Sequence, residues 1–289
     1  MKRNFVNLTI IIVSFNVKEK LKKCLSKIVN RSNTEIIIID NNSTDGTQSY
    51  LRSKLHKTVR VYRNRENIGF SKAVNQGINK AKGKLILLLN PDTEPINKAI
   101  DLLIPYALKR NVGLVGGKMI KPGSKLTHGT YVNKPNFLTG VFEFTNLKKV
   151  FPENKFSKSF YYKGEKNSKP KIVYGLSGGF LMFRKELIKR AGCFDEKFFM
   201  YLEDIDLGLR VRKMGFNNYF IPLATIIHDS GSSSSSSQYS INVKAWRNSR
   251  NYFFKKNFTL IEWVILKFLF FLDDIFIDTL HILQGRPLT

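Results

Sequence analysis

Three carboxylates stand close together in FFMYLEDIDLGLR, residues 198 to 210: Glu203, Asp204 and Asp206. A carboxylate held beside an attacking hydroxyl can take its proton, so such a group is a candidate general base. From about Leu202 the stretch reads as a helix, with Leu202, Ile205 and Leu209 on a core face, Lys213 in the last turn and Gly215 as its stop. Glu203 and Asp204 then fall in the first turn, where the helix dipole favours negative charge. That placement alone would account for both acids. The catalytic reading is that one of them is a base kept ionised by the dipole and by nearby cations. Asp206 lies deeper in the helix and could pair with Arg210 at i+4. Phe198, Phe199 and Tyr201 could stack on a sugar or belong to the core.

Two further acids end apolar runs. Asp40 closes EIIIID and enters DNNSTDGT, where Ser43 or Thr44 can cap the following helix. Its carboxylate could accept from a nucleobase N–H or a ribose hydroxyl, or it could be a turn residue. Asp92 follows KLILLLN in NPDTEP, between Pro91 and Pro95. There it could ligate Mg²⁺ or Mn²⁺, ions that take oxygen donors and commonly bind substrate phosphates. One acid is a poor metal site, and His228, after the apolar ATII, is the candidate partner, with a purely structural role as its alternative.

The elements that must hold these residues follow from hydropathy. TIIIVS (9 to 14), EIIIID (35 to 40), VRVYR (59 to 63) and KLILLLN (84 to 90) alternate with amphipathic segments, the pattern of a mostly parallel sheet flanked by helices. The nearly continuous Ile of the first two marks strands buried on both faces. Ligands of open parallel sheets sit beyond the strands' carboxyl ends, which directs attention to Asn16, Asp40 and Asn90 to Asp92. After VGLVGGKMI (112 to 120) an aromatic, Lys-rich region runs to about Lys171 without assignable periodicity; an inserted acceptor-side region is one reading of it. A Gly-rich strand start then leads into a helix ending near Gly192, and GFNNYFIPLATIIHDSG reads as two short strands around Pro222.

The 289 residues suffice for one large α/β domain with an appendage, divided here as a catalytic domain over 1–229, a flexible Ser-rich connector over 230–240 and a helical, membrane-associating segment over 241–289. The connector could also be a loop closing over substrate. Lys244, Arg247 and Arg250 recur every three residues and share a helical face that could meet a diphosphate or simply be solvated. In FTLIEWVILKFLFFLDDIFIDTLHIL, Glu262, Lys267, Asp273, Asp274 and Asp278 share one arc of about 160°, with Val264, Ile265, Phe268, Leu272, Ile275 and Phe276 opposite. So many acids disfavour a spanning helix. An amphipathic helix lying on an anionic bilayer fits better, and packing on its own domain or homodimerisation is the alternative.

Composition narrows the partners. A hydrophobic share of 43% excludes a disordered basic tail, and 48 Lys and Arg against 22 Asp and Glu favour anionic ligands. Dispersed charge and a carboxylate cluster argue against nucleic acid. Cys24 and Cys193 make no disulfide framework or zinc spacing, and the short apolar run near the N-terminus lacks a cleavage site, so it reads as a first strand in a cytoplasmic chain.

In order, IIIVSFN, IIIIDNNSTDGT, NRENIGFSKAVNQGI, LLLNPDTEP, SGGFLMFRKELIKRAGCFDEKFFMYLEDIDLGLRVRKMGF, the His228 region and WRNSRNYFFKKN resemble bacterial family 2 glycosyltransferases, with the rhamnosyltransferase-like branch nearest. The likeness runs from about residue 9 to 257. It implies a Rossmann-like GT-A fold, a dTDP- or UDP-sugar donor, a divalent cation, and inversion at the anomeric carbon. The acceptor it implies is a lipid-linked or cell-surface glycan in polysaccharide synthesis on the inner face of the membrane. By the same likeness Asp40, Asn16, Asn75, Asp92 and Arg247 would lie on the nucleotide-sugar side and Asp92 and His228 at the metal. Asp204 would be the base, with Glu203 orienting the base or the acceptor. A noncatalytic nucleotide-sugar-binding relative is the rival reading. The family's metal motif keeps only one acid here, and a Ser run replaces a more varied loop after Asp229.

Overall fold

The isoleucine runs are strands at the centre of a sheet. In this computed structural model, which describes residues 7–53, 58–124, 130–162, 169–229 and 236–283, β1 (Leu8–Ser14) and β2 (Thr34–Asp40) pair in parallel, with Ile10 to Ile12 facing Ile36 to Ile38. Both faces of these strands are buried, as continuous apolar runs require. Between them α1 (Lys18–Ile28) lays Leu21, Cys24, Leu25 and Ile28 on the sheet. The chain continues through α2 (Thr47–Ser53), β3 (Val59–Arg63), α3 (Phe70–Lys80) and β4 (Leu85–Leu89). These complete a parallel half-sheet in the order β3-β2-β1-β4.

Beyond β4 the sheet is mixed. The short β5 (Thr93–Pro95), α4 (Ala99–Ala107) and β6 (Val112–Ile120) lead to a tiny β7 (Tyr131–Val132). The segment that sequence patterning leaves unassigned folds as three short helices, α5 (Phe137–Glu143), α6 (Leu147–Val150) and α7 (Lys155–Phe160). Then follow β8 (Lys171–Val173), β9 (Gly175–Leu176), β10 (Phe180–Arg184), α8 (Lys185–Arg190), α9 (Glu203–Lys213) and β11 (Asn217–His228). β10 inserts antiparallel between β4 and β6, and β11 runs parallel to β6 and antiparallel to β5 and β8. β11 is one strand, not two. Pro222 lacks an N–H to give the ladder, and the register slips between Ile221 and Thr225, so the proline makes an irregularity that leaves Leu223 in solvent while the strand resumes.

Two apolar cores fill the faces of the sheet. A third joins α5–α7 and α9 to α10 (Ser236–Asn257) and α11 (Leu260–Leu283) through Phe144, Phe160, Phe198, Phe254, Leu266 and Phe270. The C-terminal helices thus pack on the body that carries the candidate base. Of the expected Ser-rich connector, residues 230–235 lie outside the described residues, and 236–240 are already helical. Gly140 shows how tight this junction is: a Cβ there would sit 2.9 Å from Leu266 and from Phe254.

Candidate active site

A cleft of about 580 Å³ opens at the carboxyl ends of β1 and β4 and reaches the start of α9. Asn41, Asn67, Asn90, Asp92 and Ser177 give it a polar half, whereas Phe144, Phe160, Tyr161, Tyr201 and Trp246 give it an aromatic half. Glu203 and Asp204 line it.

The start of α9 is built to present these two acids. Tyr201 and Leu202 both take left-handed backbone angles, φ +76° and +67°, a costly conformation for such side chains and one that turns the chain sharply into the helix. Asp204 Oδ2 accepts the Gly178 N–H at 2.8 Å, and Oδ1 accepts the Ile205 N–H at 2.8 Å. Glu203 is 5% exposed, and its Oε2 is buried without a hydrogen bond. Burial raises the pKa of both acids. For Asp204 the two amide donors counter that rise, while the charge on Asp204 pushes Glu203 higher still. The pair therefore ionises in order, Asp204 first, with Glu203 holding its proton to higher pH. Asp204 is thus held by backbone donors, one of them in the first turn of α9, which is the helix-start part of the expectation that named the dipole and nearby cations. Asp206 pairs with Arg210 as its i+4 spacing predicts, with Nε 2.8 Å from Oδ2, and Lys256 joins it at 2.9 Å. Fully buried in that network, it stands away from the cleft.

At the end of β2, Asp40 is wholly buried. Its Oδ2 accepts the Ser43 N–H at 3.3 Å, while Oδ1 has no hydrogen-bond partner. A buried carboxylate oxygen in that state is an acceptor in want of a donor. Asn16, at φ +53°, uses Oδ1 to accept the Thr44 N–H at 2.7 Å and its own N–H to bond Ser43 Oγ at 3.0 Å, so it braces the loop after Asp40. Asn41 and Asn67, which sequence reasoning did not single out, are linked to each other at 3.2 Å and line the cleft. Two asparagines directly following strand and turn residues were the available signal. Gly69, at φ +85°, lets α3 begin against the segment leading to α9: the Phe70 N–H bonds Phe199 O at 2.6 Å, and a Cβ on Gly69 would lie 2.5 Å from that oxygen.

Asp92 and His228 meet across the β5–β11 pair, Oδ1 standing 3.3 Å from Nε2. The Asp229 N–H bonds Asp92 O at 3.0 Å and fixes the two chain segments together. Asp92 Oδ1 is buried without a hydrogen bond, and one carboxylate oxygen beside one imidazole nitrogen is a donor set that Mn²⁺ accepts. Among the described residues no cluster of three or more His, Cys, Asp or Glu is placed to hold a metal. The remaining ligands of an ion there would be phosphate and water oxygens, which suits a divalent ion that binds with its substrate.

Of the expected donor-side residues Asp92 lines the cleft, Asp40 and Asn16 stand behind its lining, and Asn75 and Arg247 turn to other parts of the chain. Asn75 is buried on α3, its Nδ2 donating to Phe194 O at 2.9 Å and Glu196 Oε1 at 3.0 Å while Oδ1 accepts the Phe194 N–H at 3.1 Å. It fastens the loop before α9 and does not reach the cleft. Arg247 turns to α11, with Nε 3.1 Å from Asp274 and a two-pronged bond to Asp278 at 3.0 and 2.8 Å. Those acids satisfy the charge a diphosphate would have met.

A mixed sheet with a parallel half, an acid after β4 and a pair of acids at a helix start across the cleft has the architecture of the GT-A glycosyltransferase fold. Two solved enzymes superpose on it. They are mannosyltransferase PcManGT from Pyrobaculum calidifontis in complex with GDP-Man and Mn²⁺ (TM-score 0.59, 15% identity, 91% of this chain and 69% of that one) and GalNAc-T7 with UDP, GalNAc and Mn²⁺ (0.59, 18%, 88% and 50%). Residues 9–192 match the model of glycosyl transferase family 2, and the chain belongs to that family. It is also similar to the N-acetylglucosaminyl-diphospho-decaprenol L-rhamnosyltransferase of Mycobacterium tuberculosis, 25% identical over 235 residues that cover 76% of this chain and 75% of the relative.

Proposed function

We propose that the protein is an inverting glycosyltransferase that moves a sugar, rhamnose by its similarity to the mycobacterial enzyme, from a nucleoside diphosphate to a hydroxyl of a lipid-linked glycan. The observation that carries this reading is Asp204: an acid that lines the cleft with its two carboxylate oxygens held by two backbone N–H groups.

On this reading the nucleotide lies over the carboxyl ends of β1 and β2, where Asn41 and Asn67 line the path of the sugar and a base N–H would have to reach in to the buried Oδ1 of Asp40. Asp92 and His228 would hold the divalent cation, whose positive charge, once bound, favours departure of the diphosphate. Asp204 removes the proton of the acceptor hydroxyl as its oxygen forms the new bond to the anomeric carbon, and the bond to the diphosphate breaks on the opposite face. One displacement inverts the centre and needs one base. Glu203, neutral beside it, can donate a hydrogen bond to the acceptor oxygen, a role open only to a protonated acid. The aromatic half offers ring faces to the acceptor sugar.

A thermal-shift screen of dTDP-, UDP- and GDP-sugars with and without Mn²⁺ tests the donor, because a ligand of the native state raises the melting temperature by mass action. Incubation with the stabilising donor and a polyprenyl-diphosphate sugar follows, and NMR of the product reads the anomeric configuration. Retention of configuration, or no stabilising nucleotide sugar, would overturn the proposal.

A further inference from the structure

The division of α11 into a charged and an apolar side holds, but the helix is mounted the other way round from one whose charged side faces water. Asp273, Asp274 and Asp278 point into the protein. Arg250, only 2% exposed, bonds Asp274 at 2.7 Å and Phe144 O at 2.9 Å, Arg247 takes Asp274 and Asp278, and the Asn146 N–H bonds Asp273 at 2.8 Å. Leu266 and Phe270 are buried on the same side. What remains outward is hydrocarbon: Phe268, Phe271 and Phe276 are 60, 59 and 58% exposed, and Ile261, Val264 and Ile275 continue the stripe at helical spacing. A stripe of this length has no reason to face water. No described helix is long and apolar enough to cross a membrane.

The rim of the stripe identifies its partner. The acids of the second half of α11 are neutralised inside, so the outer surface presents apolar side chains and lysines. Lys255 and Lys267 both stand over the Trp263 ring, at 5.2 and 5.3 Å, and both are exposed. On α6, which abuts α11 at Asp273, exposed Lys149 precedes exposed Val150 and Phe151. Tryptophan between lysines beside exposed phenylalanines suits the boundary between headgroups and acyl chains. A second copy of the chain fits less well, since a two-fold contact would bring the same lysine rim against itself.

We infer that the outer face of α11, with the exposed edge of α6, docks on an anionic lipid leaflet. Trp246 and Asn242, which line the cleft, lie on α10 one helix in from that face, so docking sets the acceptor half of the cleft near the bilayer. Only this last consequence rests on the lipid-linked acceptor proposed above.

The test is flotation of the full chain with phosphatidylcholine vesicles, with and without phosphatidylglycerol. The wild type should float with the anionic vesicles and release at high salt. Phe268→Ser/Phe271→Ser/Phe276→Ser should bind at least roughly tenfold more weakly, and Lys149→Glu/Lys255→Glu/Lys267→Glu should lose the preference for phosphatidylglycerol. Circular dichroism confirms folding, and Ile261→Ser, near the helix start, is the milder variant if the triple change unfolds the chain. Failure of the wild type to float overturns the inference. So does light scattering that shows a wild-type dimer made monomeric by the serine variant. Flotation needs no catalysis, so its failure would leave the transfer proposal standing, and the reverse also holds.

Discussion

Asp204→Asn is the sharpest perturbation, because it changes a proton acceptor while leaving its size. Asn keeps one carbonyl oxygen, enough for either the Gly178 or the Ile205 N–H, both now at 2.8 Å from separate carboxylate oxygens. Its amide nitrogen faces the other donor, a loss of about 1 kcal/mol. Removal of a charge that burial disfavours offsets this, so the melting temperature should move little. Donor affinity should also hold, since the polar half of the cleft is untouched. The turnover number should fall by about 10² to 10⁴, the usual contribution of a general base, or about 3 to 5 kcal/mol of barrier. Radiolabelled transfer under saturating donor and acceptor reads the first quantity, and calorimetric titration of donor the second. In the wild type the rate rises with pH as Asp204 loses its proton, and burial places that limb above the ordinary aspartate value. Because Asp204 ionises before Glu203, Glu203→Gln should leave the limb nearly in place. A turnover number within tenfold of wild type in Asp204→Asn would refute the assignment of the base, and a limb displaced downward in Glu203→Gln would refute the order of ionisation.

Glu203→Gln should also stabilise the fold at neutral pH. The folded pKa of Glu203 is raised, so the native state binds the extra proton; its relative stability is intact below the unfolded value and is lost as pH rises toward the folded one. The gain from Gln should therefore be near zero at pH 4 and grow by about 1.4 kcal/mol per pH unit until Glu203 ionises, as urea melts across pH will show. Asp92→Asn and His228→Ala should each abolish most of the Mn²⁺-dependent rise in melting temperature seen with a nucleoside diphosphate, and an unchanged rise would remove that pair as the ion's ligands. Arg250→Ala leaves Phe144 O and Asp274 without their buried donor and should cost about 3 kcal/mol by urea unfolding.

The fold and the gathering of Asp92, Glu203 and Asp204 at one cleft were legible because local chemistry and global position coincide there. Ile10 to Ile12 and Ile36 to Ile38 could only be strands covered on both faces, and strands of that kind deliver Asp40 to a sheet end. The start of α9 was equally plain, since acids in the first turn and Gly215 after the last agree about its limits. The α5–α7 region was not, because helices of four to seven residues complete too few turns to declare a period. Asn75 failed for another reason: a buried amide serves a ligand or a neighbouring chain segment equally well, and only the position of Phe194 decides.

Arg247 carries the more general lesson. The basic face of α10 and the acidic arc of α11 are both visible as stripes; taken singly, the first suits a diphosphate or solvent, and the second a helix on a bilayer, packed on its own domain or in a dimer. Two complementary stripes separated by a single short turn have a cheaper solution, which is each other, because closing so short a connection costs little entropy. Once the arginines and aspartates have met, the hydrophobic side of α11 has nowhere to go but outward. The same ion pairs that withdraw Arg247 from the cleft therefore create the apolar surface, and Arg247→Asp, which sets a third acid beside Asp274 and Asp278, should loosen it and lower the melting temperature.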